Sequence, residues 1–90
     1  MTGFEIELRD KILKRLKLFD VDPATVTPET FLFEGGMGLD SVDALEIAIL
    51  IEEDYGIVIK VSERDRSTFG SFGQLVRFVE ANLHRDIPKA

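Results

Sequence analysis

The sequence predicts an all-α fold: a small bundle of four helices, three longer and one short, with a long ordered loop between the first two. Apolar residues recur at helical spacing in three segments, each opened by a residue suited to capping a helix. The run Ile57-Val58-Ile59 could pass for a strand, but it has no visible partner. At 90 residues, one hydrophobic core and one domain over 1–90 are expected, the last few residues forming a flexible tail.

Thr2 and Glu5 suit a capping box, and Phe4, Leu8, Ile12, Leu16 and Phe19 follow on one face. This predicts a first helix over about residues 3–18, with its basic residues on the outer face. A connection of about twenty residues comes next, too long to be structureless in a compact domain. Asp22-Pro23 and Thr27-Pro28 each offer the start of a single turn, and Val21, Val26, Phe31, Leu32 and Phe33 are its expected apolar anchors. It ends in the run Gly35-Gly36-Met37-Gly38, expected to be flexible.

The second helix is expected from about Ser41 to Tyr55, with Asp40 as N-cap, Asp43 in the first turn and Gly56 as the stop. Ser62 is expected to cap a short turn through Arg66. Ser71 and Gln74 suit a second capping box, leading Phe72, Leu75, Val76, Val79 and Leu83 into the last helix.

Charge narrows the function. The net charge is −6, and all ten carboxylates between Leu18 and Ile59 lie in a stretch without Lys, Arg or His. Such a block disfavours nucleic acid, and leaves its carboxylates uncompensated, so that salt or divalent ions should raise stability. The absence of cysteine excludes disulfides, thiolate metal sites and a cysteine nucleophile. The longest apolar run, Ile47 to Ile51, is far too short to span a membrane, and early charges leave no visible signal peptide. A cytoplasmic monomer is expected.

On the second helix, Ala44, Ile47, Ala48, Ile51 and Tyr55 form a core stripe, while Val42, Leu45 and Ile49 lie on the opposite side among Glu46 and Glu53. A helix needs only one buried stripe, so the second suits partners with apolar pockets rimmed by basic residues. Glu52, Glu53 and Asp54 sit at the negative pole of the helix dipole, each costing about 0.3–1 kcal/mol when exposed, which suggests a use beyond stability.

Catalytic options are poor. His84 is the sole histidine, far from Ser41 in sequence and expected to face solvent near a helix end. The Gly35–Gly38 run lacks the Lys and spacing of a phosphate loop, and the Asp40 region lacks the alternating ligands of a calcium loop, so no metal site is expected. Ser41 stands out instead, since the first turn of a helix favours a phosphate.

The segment Gly38-Leu39-Asp40-Ser41-Val42-Asp43-Ala44-Leu45-Glu46, followed by Ile49 and Glu52-Glu53-Asp54-Tyr55-Gly56-Ile57, closely resembles the attachment region of acyl carrier proteins. The likeness extends along the chain and implies an acyl-carrier-type bundle that is not itself an enzyme. It implies that Ser41 takes 4′-phosphopantetheine from coenzyme A through a dedicated transferase, and that the arm's thiol carries acyl groups as thioesters in fatty acid, specialised lipid or polyketide-type biosynthesis. Carried over by position, Asp40, Val42, Leu45, Glu46, Ile49, Glu52 and Glu53 would be the recognition surface for acyl-loading and ketosynthase-type enzymes with basic patches. Ile47, Ile51, Tyr55, Ile59, Phe33, Leu75 and Val79 would line the core that shelters a bound chain. Aminoacyl or peptidyl carriers are the alternative within the resemblance, although Leu39-Asp40-Ser41 leans towards acyl. The alternative outside it is an unmodified acidic helical interaction module.

Overall fold

The computed structural model describes residues 2–33, 35–60 and 66–85. These are helical: α1 (Gly3–Arg15), α2 (Ser41–Tyr55), a short α3 (Arg66–Phe69) and α4 (Phe72–Arg85), with a single 3₁₀ turn over Pro23–Thr25. Among the described residues there is no strand, only an isolated bridge between Phe31 and Ser71. Ile57 and Ile59 enter the core and Val58 faces out. No described helix is long and apolar enough to cross a membrane. The expectations for Ser62, the His84 side chain and a flexible tail lie outside the described residues.

Capping dictates where the elements begin. Thr2 and Glu5 exchange side-chain and backbone hydrogen bonds at the start of α1, as Ser71 and Gln74 do before α4. Asp22 accepts from the Ala24 amide to open the 3₁₀ turn. The core joins Leu8 and Ile12 of α1, Ile47, Leu50 and Ile51 of α2, Phe69 of α3, and Phe72, Leu75, Val76 and Val79 of α4.

The first helix stops earlier than its apolar spacing suggests. Lys17 adopts φ 58° after Leu16, and the Leu18 and Lys17 amides donate to the Leu13 and Lys14 carbonyls at 2.9 and 3.1 Å. This is a Schellman closure with lysine where glycine is usual, so the sequence carries no visible stop. The chain therefore leaves the helical face before Phe19, which is 77% exposed instead of in the core.

The connection between α1 and α2 is tied to the start of α4 through residues 28–32. The amides of Phe72 and Gly73, orphaned at a helix start, donate to the Thr30 and Pro28 carbonyls at 2.8 Å each. Leu32 returns a bond to the Gly70 carbonyl at 3.3 Å. A β-carbon at Gly73 would lie 2.8 Å from the Pro28 oxygen, so this approach requires glycine. Val26 and Leu32 are buried and Val21 and Phe33 half-buried, but Phe31, expected as an anchor, is 56% exposed. Its neighbour Leu32 points inward, and alternation in this extended stretch turns Phe31 outward.

Two basic residues of α1 expected to face solvent, Lys11 and Arg15, instead grip α2. Glu7, Lys11 and Arg15 share one face at four-residue spacing. The Tyr55 hydroxyl donates to Glu7 at 2.7 Å, Lys11 meets Asp54 at 2.9 Å, and Arg15 bridges Glu46 at 3.1 Å and Glu53 at 3.0 Å. Lys11 also lies 5.1 Å from the Tyr55 ring centroid, and Phe4 packs edge-on against that ring. Three of the ten carboxylates of the acidic block are thus compensated from within, and added salt screens these pairs. Two of the three charges at the dipole's negative pole, Glu53 and Asp54, likewise have a structural partner.

Two outcomes follow from these contacts. Lys17→Gly should stabilise the domain by about 0.5–1 kcal/mol in urea unfolding, since only the lysine carries a β-carbon in the left-handed region. Burial first, and then the bond to Glu7, raise the Tyr55 phenol well above its ordinary 10.0. A pKa raised by folding means that the neutral phenol's contribution is complete below pH ~10 and is lost as pH rises beyond it. Ultraviolet titration of this sole tyrosine should give a midpoint well above that of the urea-unfolded chain.

Candidate functional site

The amino end of α2 is built by three neighbours. The Gly-rich run, expected to be flexible, folds back on Phe31–Phe33: Gly36 and Gly38 donate to the Phe33 carbonyl, and Met37 to that of Phe31 at 2.9 Å. Gly35 and Gly38 take positive φ, and a β-carbon at Gly36 would fall on the Phe31 carbonyl, so three glycines serve a tight loop. Leu39 then buries its side chain and donates to the Leu32 carbonyl at 3.0 Å, which fixes where the next residue stands.

That residue, Asp40, caps the helix. Its carboxylate accepts from the Asp43 amide at 2.9 Å, and the Asp43 carboxylate accepts from the Asp40 amide at 3.2 Å. A serine at a helix start usually caps the backbone itself, but here the aspartate pair does so. Ser41, the first helical residue, is exposed, and its hydroxyl makes no hydrogen bond among the described residues. The Ala44 amide reaches the Asp40 carbonyl, which leaves the Ser41 and Val42 amides at the open end of the helix. A hydroxyl beside free amides and a positive dipole end fits an esterified phosphate.

The expected recognition residues lie along the outward side of α2. Val42 and Leu45 are 64% and 44% exposed, Ile49 is half-buried, and Glu52 is exposed. Asp40 is exposed but engaged as the cap. Glu46 and Glu53 belong to this face, yet both are held by Arg15, whose pKa is raised first by the bond to Glu53 and then by that to Glu46. Sequence reasoning missed Arg15 and Lys11 here; their four-residue spacing from Glu7 was the available signal.

Ile47, Ile51, Ile59, Leu75 and Val79 are buried together, with Phe33 and Tyr55 half-buried at the margin. A shallow open depression is lined by a different set, which includes Ile12, Leu13, Val26, Leu32, Met37 and Phe72. Among the described residues no group of three metal-ligating side chains could hold an ion.

Residues 7–79 match the family model of the phosphopantetheine attachment site. The chain is 39% identical over 61 residues to the mitochondrial acyl carrier protein 2 of Arabidopsis thaliana, covering 67% of this chain and 48% of that one. It is 38% identical over 65 residues to the mitochondrial acyl carrier protein of Dictyostelium discoideum, covering 71% and 52% respectively. To acyl carrier protein 2 of Ralstonia nicotianae it is 45% identical over 58 residues, covering 59% of this chain and 70% of that one. The chain thus spans about half the length of these two mitochondrial relatives.

The division of labour at the start of α2 is testable by circular dichroism in urea. Asp40→Ala should cost about 1 kcal/mol, as loss of an N-cap does. Ser41→Ala should stay within about 0.5 kcal/mol of the parent, as at an exposed position without partners.

Proposed function

The chain belongs to the acyl carrier proteins, a family of carriers with covalently attached 4′-phosphopantetheine, and on that premise we infer that Ser41 holds the arm. The observation that carries this reading is the exposed, unbonded Ser41 hydroxyl at a helix start whose capping is done by Asp40. A dedicated transferase removes the hydroxyl proton as Oγ bonds to phosphorus, and the pyrophosphate bond of coenzyme A breaks, with adenosine 3′,5′-bisphosphate as the leaving group. When bound, the arm supplies a terminal thiol on which acyl groups travel as thioesters, chemistry that a chain without cysteine otherwise lacks.

Residues 1–90 are read as one monomeric carrier domain, a four-helix bundle of three longer helices and the short α3, with a long ordered loop between the first two. Asp40, Val42, Leu45, Glu46, Ile49, Glu52 and Glu53 form the surface offered to the phosphopantetheinyl transferase and to acyl-loading and ketosynthase-type enzymes. Exposed Val42 and Leu45 beside Glu52 support that role. Fatty acid, specialised lipid or polyketide-type biosynthesis is the setting. The mitochondrial names of two relatives above belong to those proteins; cytoplasmic placement is an expectation that cell fractionation checks.

Incubation with coenzyme A, magnesium and a broad-specificity phosphopantetheinyl transferase tests the reading. The intact mass of the apo chain should rise by one phosphopantetheine, and Ser41→Ala should abolish the gain. Folded apo chain that gains nothing would favour an unmodified interaction module.

A further inference from the structure

The outward side of α2 is electrostatically lopsided. On one flank, Glu52 is exposed and makes no ion pair among the described residues. On the other, nearest α1, Glu46 and Glu53 are joined through one guanidinium, that of Arg15. The three side chains remain partly open, at 31% exposure for Arg15, 43% for Glu46 and 59% for Glu53. A cation arriving from outside can therefore reach both carboxylates, but finds them occupied. Seven residues separate Glu46 from Glu53, two helical turns, so a guanidinium fork spans them where a single ammonium would favour one.

We propose that Arg15 is a built-in competitor for the recognition face of α2, occupying Glu46 and Glu53 so that a basic partner enzyme must displace it in order to dock. This inference rests on the carrier reading and deepens it: Arg15 sets which partners dock well. An enzyme whose cation meets Glu52 while its apolar pocket takes Val42 and Leu45 leaves the Arg15 pairs intact. One that places its cations at Glu46 and Glu53 has to exchange a favourable internal pair for its own contact. The free energy of such exposed pairs is small, so the effect is graded discrimination.

Lys14 provides the control. It is exposed on α1, one residue before Arg15, and makes no ion pair among the described residues. Lys14→Gln and Arg15→Gln change net charge equally, but only the second releases Glu46 and Glu53. The experiment measures transfer of phosphopantetheine from coenzyme A by a broad-specificity transferase with basic docking residues, on apo wild type, Lys14→Gln, Arg15→Gln and Arg15→Lys. Thermal melts establish that each variant is folded; should Arg15→Gln fail to fold, Arg15→Lys decides, since it keeps the charge but loses the fork.

Arg15→Gln should lower KM about threefold with kcat unchanged, Lys14→Gln clearly less, and Arg15→Lys should fall between wild type and Arg15→Gln. The difference should vanish at about 0.5 M salt, where screening reaches only a few ångströms. Equal effects of Arg15→Gln and Lys14→Gln would reduce the result to net charge and overturn the proposal, as would an unchanged or raised KM for Arg15→Gln. Transfer to the wild type proceeding normally with either of those results leaves the carrier reading standing; no transfer to any folded apo chain overturns both.

Discussion

The reciprocal hydrogen bonds between Asp40 and Asp43 are the constraint on which the site depends. A helix start must satisfy its leading amides, and the nearest hydroxyl or carboxylate is normally consumed in doing so. Because an aspartate pair takes that task, the next residue, Ser41, has a hydroxyl with no structural duty. Buried Leu39 and the loop hydrogen-bonded back to Phe31–Phe33 hold Asp40 in register. The chemistry available at Ser41 therefore comes from what its neighbours do.

Two sets of polar contacts place that helix start within the domain. The carbonyls of the connection accept from the amides at the amino end of α4, so a segment with few side-chain anchors is held by backbone bonds. On the other side, Glu7, Lys11 and Arg15 fasten α1 to one flank of α2, from Glu46 to Tyr55. Exposed pairs of this kind contribute little stability individually. Their larger consequence is electrostatic, because they neutralise one flank of a helix whose other flank remains charged.

Much of this was legible in the sequence, for reasons specific to each element. The second helix is bounded by a capping aspartate and by Gly56 in the left-handed conformation, strong signals at both ends, and its observed limits are those expected. The end of α1 was not legible, because Lys17 fills a position where glycine would have announced the stop. Phe19 and Phe31 were misassigned to the core for related reasons: one lies beyond that stop, the other alternates away from Leu32. Leu39 and Leu50 are buried without having been expected: Leu50 lies off the stripe drawn from Ile47 and Ile51, and Leu39 precedes the helix, where that periodicity does not reach. The acidic block read as uncompensated because its cations are supplied by residues some thirty to forty positions earlier, a tertiary fact that local spacing only hints at.

The most direct test is to locate the modification within the chain. After reaction with coenzyme A and the transferase, fragmentation mass spectrometry should place the arm on Ser41 alone, in a peptide that also contains Asp40 and Asp43. An arm carried by any other hydroxyl, with Ser41 unmodified, would contradict the claim that the aspartate cap frees this serine for attachment.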